Sequence, residues 1–309
     1  MDKKLSEAII KTLAYSDIFD FPLNPQELYE YLEGYPLDSP KLISPELINN
    51  VPQIDFLDGL FFLKGREEIV SLRREKQKWT KQKKAIAQKV AQKLGLIPWI
   101  KMIAVTGGVA AGNAEEDHDI DLLFITASGR LWLSRLLEKI STELMGIRRH
   151  PGNHAGEKAK NKVCPNMYLD SQNLKLPHHD LFTAREIAQM KPILNRDQTY
   201  EKFLTSNSWM KEWLPNWWGN KLKMKSEKLK IKRRKTQSPA TGRQSSVLNF
   251  FEHLAKKLQL NYMSSKRTTE TITETLLMFH PDDQRRKTIK KYRQKLHSLG
   301  LTPTQCNLN

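Results

Sequence analysis

Asp119 and Asp121 stand one residue apart in the stretch VTGGVAAGNAEEDHDIDLLFIT (105–126), with ten residues between them and the pair Gly107-Gly108. A strand alternates its side chains with period two, so both carboxylates project from one face. Two carboxylates so placed repel each other and cost stability unless a cation lies between them. The run Leu122-Leu123-Phe124 follows directly and sets the pair at the rim of a core. The other reading of these residues is a solvated acidic loop, since Glu115, Glu116 and Asp117 precede the pair.

Two glycines between a strand and a helix let the backbone turn tightly and approach a ligand with no side chain in the way. Free N–H groups at the helix start can hold phosphate oxygens. Hard carboxylate oxygens suit Mg²⁺, which also coordinates nucleotide phosphates. A phosphate cradle beside a metal pair is the equipment of phosphoryl or nucleotidyl transfer. There metals activate a hydroxyl and neutralise the leaving pyrophosphate.

Thr106-Gly107-Gly108, the ten-residue gap and Asp119-Ile120-Asp121-Leu122-Leu123-Phe124 resemble the nucleotidyltransferases of the DNA polymerase beta-like superfamily. The resemblance covers about residues 100–170. It implies a small mixed sheet with helices, a two-metal Mg²⁺ site on Asp119 and Asp121, and triphosphate contacts at Thr106, Gly107 and Gly108. It further implies transfer of a nucleoside monophosphate from a nucleoside triphosphate to a hydroxyl. Members of this superfamily usually place a third acidic residue on a later strand, as metal ligand and base. The strand KVCPNMYLD (162–170) offers Asn166, Tyr168 and Asp170 on one face, with Asp170 its only carboxylate. Either Asp170 completes the site or the site is a reduced one.

Other polar clusters carry less. His178 and His179 are adjacent and poorly placed for one ion, whereas Asp180 suits the cap of a helix over LFTAREIAQM. His150 and His154 are isolated, and His118 is a loop histidine beside the Asp pair. Trp209, Trp213, Trp217 and Trp218 fall at helical spacing, which suits packing first and base stacking second.

The elements that must position these residues read as an α/β (α+β) chain of three parts. Residues 1–75 give three short helices, with Asn24 and Ser44 as caps, then a hairpin of LFFL and EIVSL about Lys64-Gly65. That order is the one found in a winged helix-turn-helix. Its third helix, however, carries Glu46 and no base-reading cation, against sequence-specific DNA binding. By the superfamily resemblance residues 76–180 are the small mixed-sheet nucleotidyltransferase core, and 181–309 read as a helical C-terminal region with helices near 245–262 and 284–299. Between 219 and 244 lie ten Lys or Arg and one Glu, read as a basic connector.

The formal charge of +17 over 309 residues favours polyanions, and a solubilising surplus is the plainer alternative. RNA or DNA would be met along its backbone by segments 73–93 and 221–243. Two distant cysteines give no disulfide framework, and no apolar run is long enough for a membrane span or a signal peptide, so a cytoplasmic protein is expected. The function expected is Mg²⁺-dependent transfer of AMP from a nucleoside triphosphate to RNA, a protein hydroxyl or a small molecule. The competing expectation is a catalytically degenerate domain acting as a nucleic-acid-binding regulator.

Overall fold

A computed structural model describes residues 2–49, 51–150, 156–221, 246–264, 270–279 and 281–303. Helix α1 (Lys3–Asp17) turns Ile9 and Leu13 inward, and α2 (Pro25–Tyr31) starts in a full capping box between Asn24 and Glu27, with Pro25 at its first position. The expected third helix is a 3₁₀ turn, Pro45–Asn49. Pro52 follows too closely for an α-helix to propagate, because it disfavours helical backbone at Val51. The third α-helix of a winged helix-turn-helix is therefore missing from the described residues.

The hairpin also differs from expectation. Its strands are β1 (Ile54–Leu57) and β2 (Leu60–Leu63), closed by the Leu57–Leu60 pair. Asp58 and Gly59 both take positive φ, 53° and 83°, as a two-residue hairpin turn requires. EIVSL is instead the start of α3 (Glu68–Leu94), where Ile69 and Val70 pack on Phe62. This long helix crosses residues 75 and 76 without a break.

Next come β3 (Ile100–Val105), the single turn α4 (Gly107–Ala111), β4 (Ile120–Thr126), α5 (Leu131–Leu144) and β5 (Val163–Asp170). Then follow α6 (Leu181–Gln189), β6 (Lys191–Asn195), α7 (Thr199–Ser206), a 3₁₀ turn Ser208–Glu212 and α8, described over 215–221. The last described elements are α9 (Ser246–Ser264), β7 (Thr271–Ile272), β8 (Leu276–Met278) and α10 (Pro281–Ser298). The region expected to be helical thus adds three strands, β6, β7 and β8, too short to show a period. Most of the basic connector lies outside the described residues.

One mixed sheet has the order β6-β3-β4-β5-β8-β7, with β4 and β5 parallel and the other pairs antiparallel. On one face Met102, Leu123, Ile125 and Leu169 share a core with α1, α2, α6 and the tryptophan segment. On the other Ile103, Leu122, Phe124 and Tyr168 pack under α3, α5 and α9. Trp213 and Trp217 are buried against the N-terminal helices, and Asn216 donates to the carbonyls of Tyr29 and Tyr35. No helix among the described residues is long and apolar enough to cross a membrane.

Candidate active site at the start of β4

The pair Asp119/Asp121 lies where the chain enters β4, and Asp121 shares its face with Leu123 and Ile125. Three contacts fix this entrance. Thr106 N–H donates to the Asp121 carbonyl (3.0 Å), Ile120 N–H donates to the Lys162 carbonyl (2.8 Å), and Asn113 N–H donates to the Gly108 carbonyl (2.8 Å). From α3 the buried Lys83 ammonium reaches the carbonyls of Glu116 (3.0 Å) and His118 (2.6 Å), pinning the acidic loop. Burial lowers the Lys83 pKa. The amide of Asn113 donates to the Phe19 carbonyl (2.7 Å), tying the glycine turn to the N-terminal helices.

Gly107 is required by shape. Its φ is +59°, and a Cβ built on it would meet Asp121 Oδ2 at 2.7 Å. A Cβ on Gly108 would come to 3.1 Å from the Asn113 carbonyl oxygen. The backbone at the turn therefore approaches the carboxylate more closely than any side chain permits. Its Gly107 N–H is held by the Glu186 carboxylate of α6. A carboxyl group thus already sits where the cradle was expected to take a phosphate oxygen.

Thr106, Gly107, Gly108, Asp121 and Glu186 line a cavity of about 520 Å³ between the sheet, the 15–21 segment, α6 and α10. Burial pushes the Glu186 carboxyl up to about 7, against the Gly107 hydrogen bond and nearby Arg185. Burial, then the charge of Asp119, then that of Glu186 push Asp121 upward.

The third carboxylate is not where the sequence suggested. Asp121 pairs in register with Cys164 of β5, whereas Asp170 pairs with Thr126, five residues further along and about 16 Å away at the usual strand rise. Asp170 is buried and accepts from Gly129 N–H (2.7 Å) and Gln172 N–H (2.8 Å), so it anchors the turns at the far end of the sheet. The register slips where Leu122 and Leu123 face Pro165 and Met167, leaving Asn166 as an extra residue. This bulge reverses the alternation beyond Asn166, so that Tyr168 and Asp170 do not share the face of Asp121. Asn166 does reach the cavity wall, while Tyr168 lies in the opposite core.

Cys164 brings a thiol instead. One donor atom from each of Asp119, Asp121 and Cys164 lies within 4.8 Å of the others. The thiol, pushed up by burial, donates to Asp121 and accepts from Arg149 Nη2 (2.8 Å), and Arg149 also pairs with Asp119. The two carboxylates held this close, with Gly107 lacking the Cβ that would crowd Asp121, are oxygen donors that fit a divalent cation, whereas the protonated thiol is a poor ligand for a hard one.

Arg149, Cys164 and Glu186 were not singled out from the sequence. Pro165 inside a strand was the available sign of the bulge, and nothing local marks Arg149 or Glu186. Among the described residues the paired histidines belong to no metal-ligating group: Asp180 caps α6 through Thr183 N–H (2.9 Å), and His179 stacks on Trp209. Glu115, Asp117 and His118 form a second, more exposed group near the cavity mouth.

No curated protein and no solved structure matches this chain. Residues 81–162 match the family model of the nucleotidyltransferase domain. That span runs from within α3 to the residue before β5 and holds Thr106, Gly107, Gly108, Asp119, Asp121 and Arg149. The match supports placing this central part of the chain in the nucleotidyltransferase superfamily.

Proposed function

We propose that the chain binds a nucleoside triphosphate with a divalent cation, Mg²⁺ in the cell, and transfers its nucleoside monophosphate to a hydroxyl acceptor. The observation that carries this reading is Gly107, whose missing Cβ lets a backbone N–H and the Asp121 carboxylate face one cavity. The N–H groups of the turn would take phosphate oxygens, with Glu186 moving off Gly107. Asp121, with Asp119 behind it, would hold the cation, which supplies charge neutralisation at the α-phosphate and the pyrophosphate. The apolar side of the cavity, with Phe19 and Phe182, suits a base.

AMP is the group we propose, and RNA the acceptor that the charge of +17 favours over a protein or small-molecule hydroxyl. Glu186 is the carboxylate nearest the role expected of Asp170, because it lines the same cavity as Asp121 and its charge acts on Asp121 directly. One observation favours the second reading, a nucleotide-binding regulator that transfers nothing: β5 offers Cys164, and no carboxylate, opposite Asp121.

Incubation with Mg²⁺ and each α-labelled triphosphate, with pools of RNA, protein and small hydroxyl acceptors, tests the proposal. Transfer of label with release of pyrophosphate, abolished by Asp121→Asn, is the expected result. Tight nucleotide binding with no label transferred in any pool would favour the regulator.

A further inference from the structure

The positive charge nearest the Asp pair belongs to the protein itself. Arg149 follows α5, and its backbone N–H donates to the Val163 carbonyl (2.9 Å), which fixes it beside the first residue of β5. The neighbouring Arg148 sends its guanidinium to the opposite face, to the buried Glu138 (2.9 Å). Period-two alternation then directs Arg149 to the face of Asp121.

Its guanidinium pairs with Asp119 and donates to Cys164, whose thiol donates on to Asp121. The Arg149 and Asp119 side chains are only 8% and 15% exposed, so the pair is held out of bulk water. Asp119 is absent from the cavity wall that Asp121 helps to form. Asp121 faces the cavity, and Asp119 faces a resident cation.

We propose that the Arg149 guanidinium occupies one of two cation positions at the Asp119/Asp121 pair, so that the site takes a single divalent ion. This rests on the reading of the site as a metal-assisted nucleotide cradle. A planar guanidinium is a permanent cation and satisfies carboxylate and thiol geometry without dehydrating a metal ion. Removing it takes away the guanidinium paired with Asp119 and leaves the Lys83 ammonium, already engaged by the Glu116 and His118 carbonyls, so a second divalent ion is then the favourable neutraliser of the carboxylate pair.

The test counts Mn²⁺ bound to the full chain by electron paramagnetic resonance of the free ion, with Mn²⁺ alone as probe. Each count is taken as the difference from the same protein carrying Asp119→Asn and Asp121→Asn, which removes the contribution of Glu115, Asp117 and His118. The expected counts are one ion for the wild type, two for Arg149→Ala and one for Arg149→Lys, which keeps the charge and checks that the site remains folded. Two ions in the wild type would overturn the proposal, and so would equal counts in the wild type and Arg149→Ala. Equal counts of one overturn it while leaving the metal-assisted cradle standing. Equal counts of zero remove the metal from the proposed function as well.

Discussion

At the scale of single residues, the site depends on one missing Cβ and on carboxyls driven from their ordinary behaviour. Gly107→Ala must accept positive φ, at about 1–2 kcal/mol, and a Cβ at 2.7 Å from Asp121 Oδ2 besides. A stability loss of about 2 kcal/mol or more and lost nucleotide binding are expected. Gly108→Ala, with no positive φ and a 3.1 Å approach, should lose less on both counts. Paired urea titrations and nucleotide binding of the two variants check this, and equal effects would contradict it.

Glu186 gives a pH signature. Its carboxyl is raised from 4.5 to about 7 in the folded protein, so the folded state keeps a proton that the unfolded chain has already lost. Its contribution is therefore fully present below about pH 4.5 and falls away as pH rises through 7. In metal-free buffer, urea unfolding at pH 5 and pH 8 should show wild-type stability falling by on the order of 2 kcal/mol more than that of Glu186→Gln. Parallel pH profiles for the two proteins would count against the buried position of Glu186. The Asp-x-Asp pair and Gly-Gly turn were legible because their chemistry is local. Glu186 and Arg149 were not, because only the tertiary fold brings them to the pair.

At the scale of elements, β4 and β5 were readable as strands, but their register was not. Counting every second residue back from Asp170 gives the wrong face, because Asn166 is an extra residue in β5. Pro165 lacks an N–H and marks such a break, yet the size and place of a bulge follow only from pairing. Asp170 is then a turn anchor, and Asp170→Ala separates the two roles. It should lower stability by about 1–3 kcal/mol through the lost bonds to Gly129 and Gln172, and leave Mn²⁺ binding unchanged. Lost metal binding in a folded Asp170→Ala protein would contradict the register. The hairpin teaches the same lesson from the other side. Asp58-Gly59 is a strong turn signal, and reading Lys64-Gly65 in its place made a strand of residues that begin α3.

At the scale of the molecule, the mixed α/β architecture could be read from the alternation of apolar runs and helical stripes. The extent of the shared core could not. Residues of α1 and α2 lie in one core with the sheet face of Asp121 and with Trp213 and Trp217, contacts that span most of the chain. Arg185 of α6 illustrates the bond between these parts: it is buried, donates to Ser16 Oγ (2.9 Å), and lies over the rings of Tyr15 and Tyr31.

The charge distribution also changes on folding. Arg73 and Lys83, both in the basic segment 73–93, turn inward to Glu27 and to the acidic loop. The ten Lys and Arg between 219 and 244 then carry more of any contact with polynucleotide. Replacing them with Gln should flatten the dependence of RNA affinity on salt, and an unchanged slope would place the contact elsewhere.

Calorimetry of ATP and GTP binding, with and without Mg²⁺, on the wild type and on Asp119→Ala/Asp121→Ala decides whether the cavity is a metal-dependent nucleotide site. Nucleotide binding that requires the cation and disappears in the double variant is the expected result. Binding indifferent to both Mg²⁺ and the substitutions, or no binding at all, would contradict it.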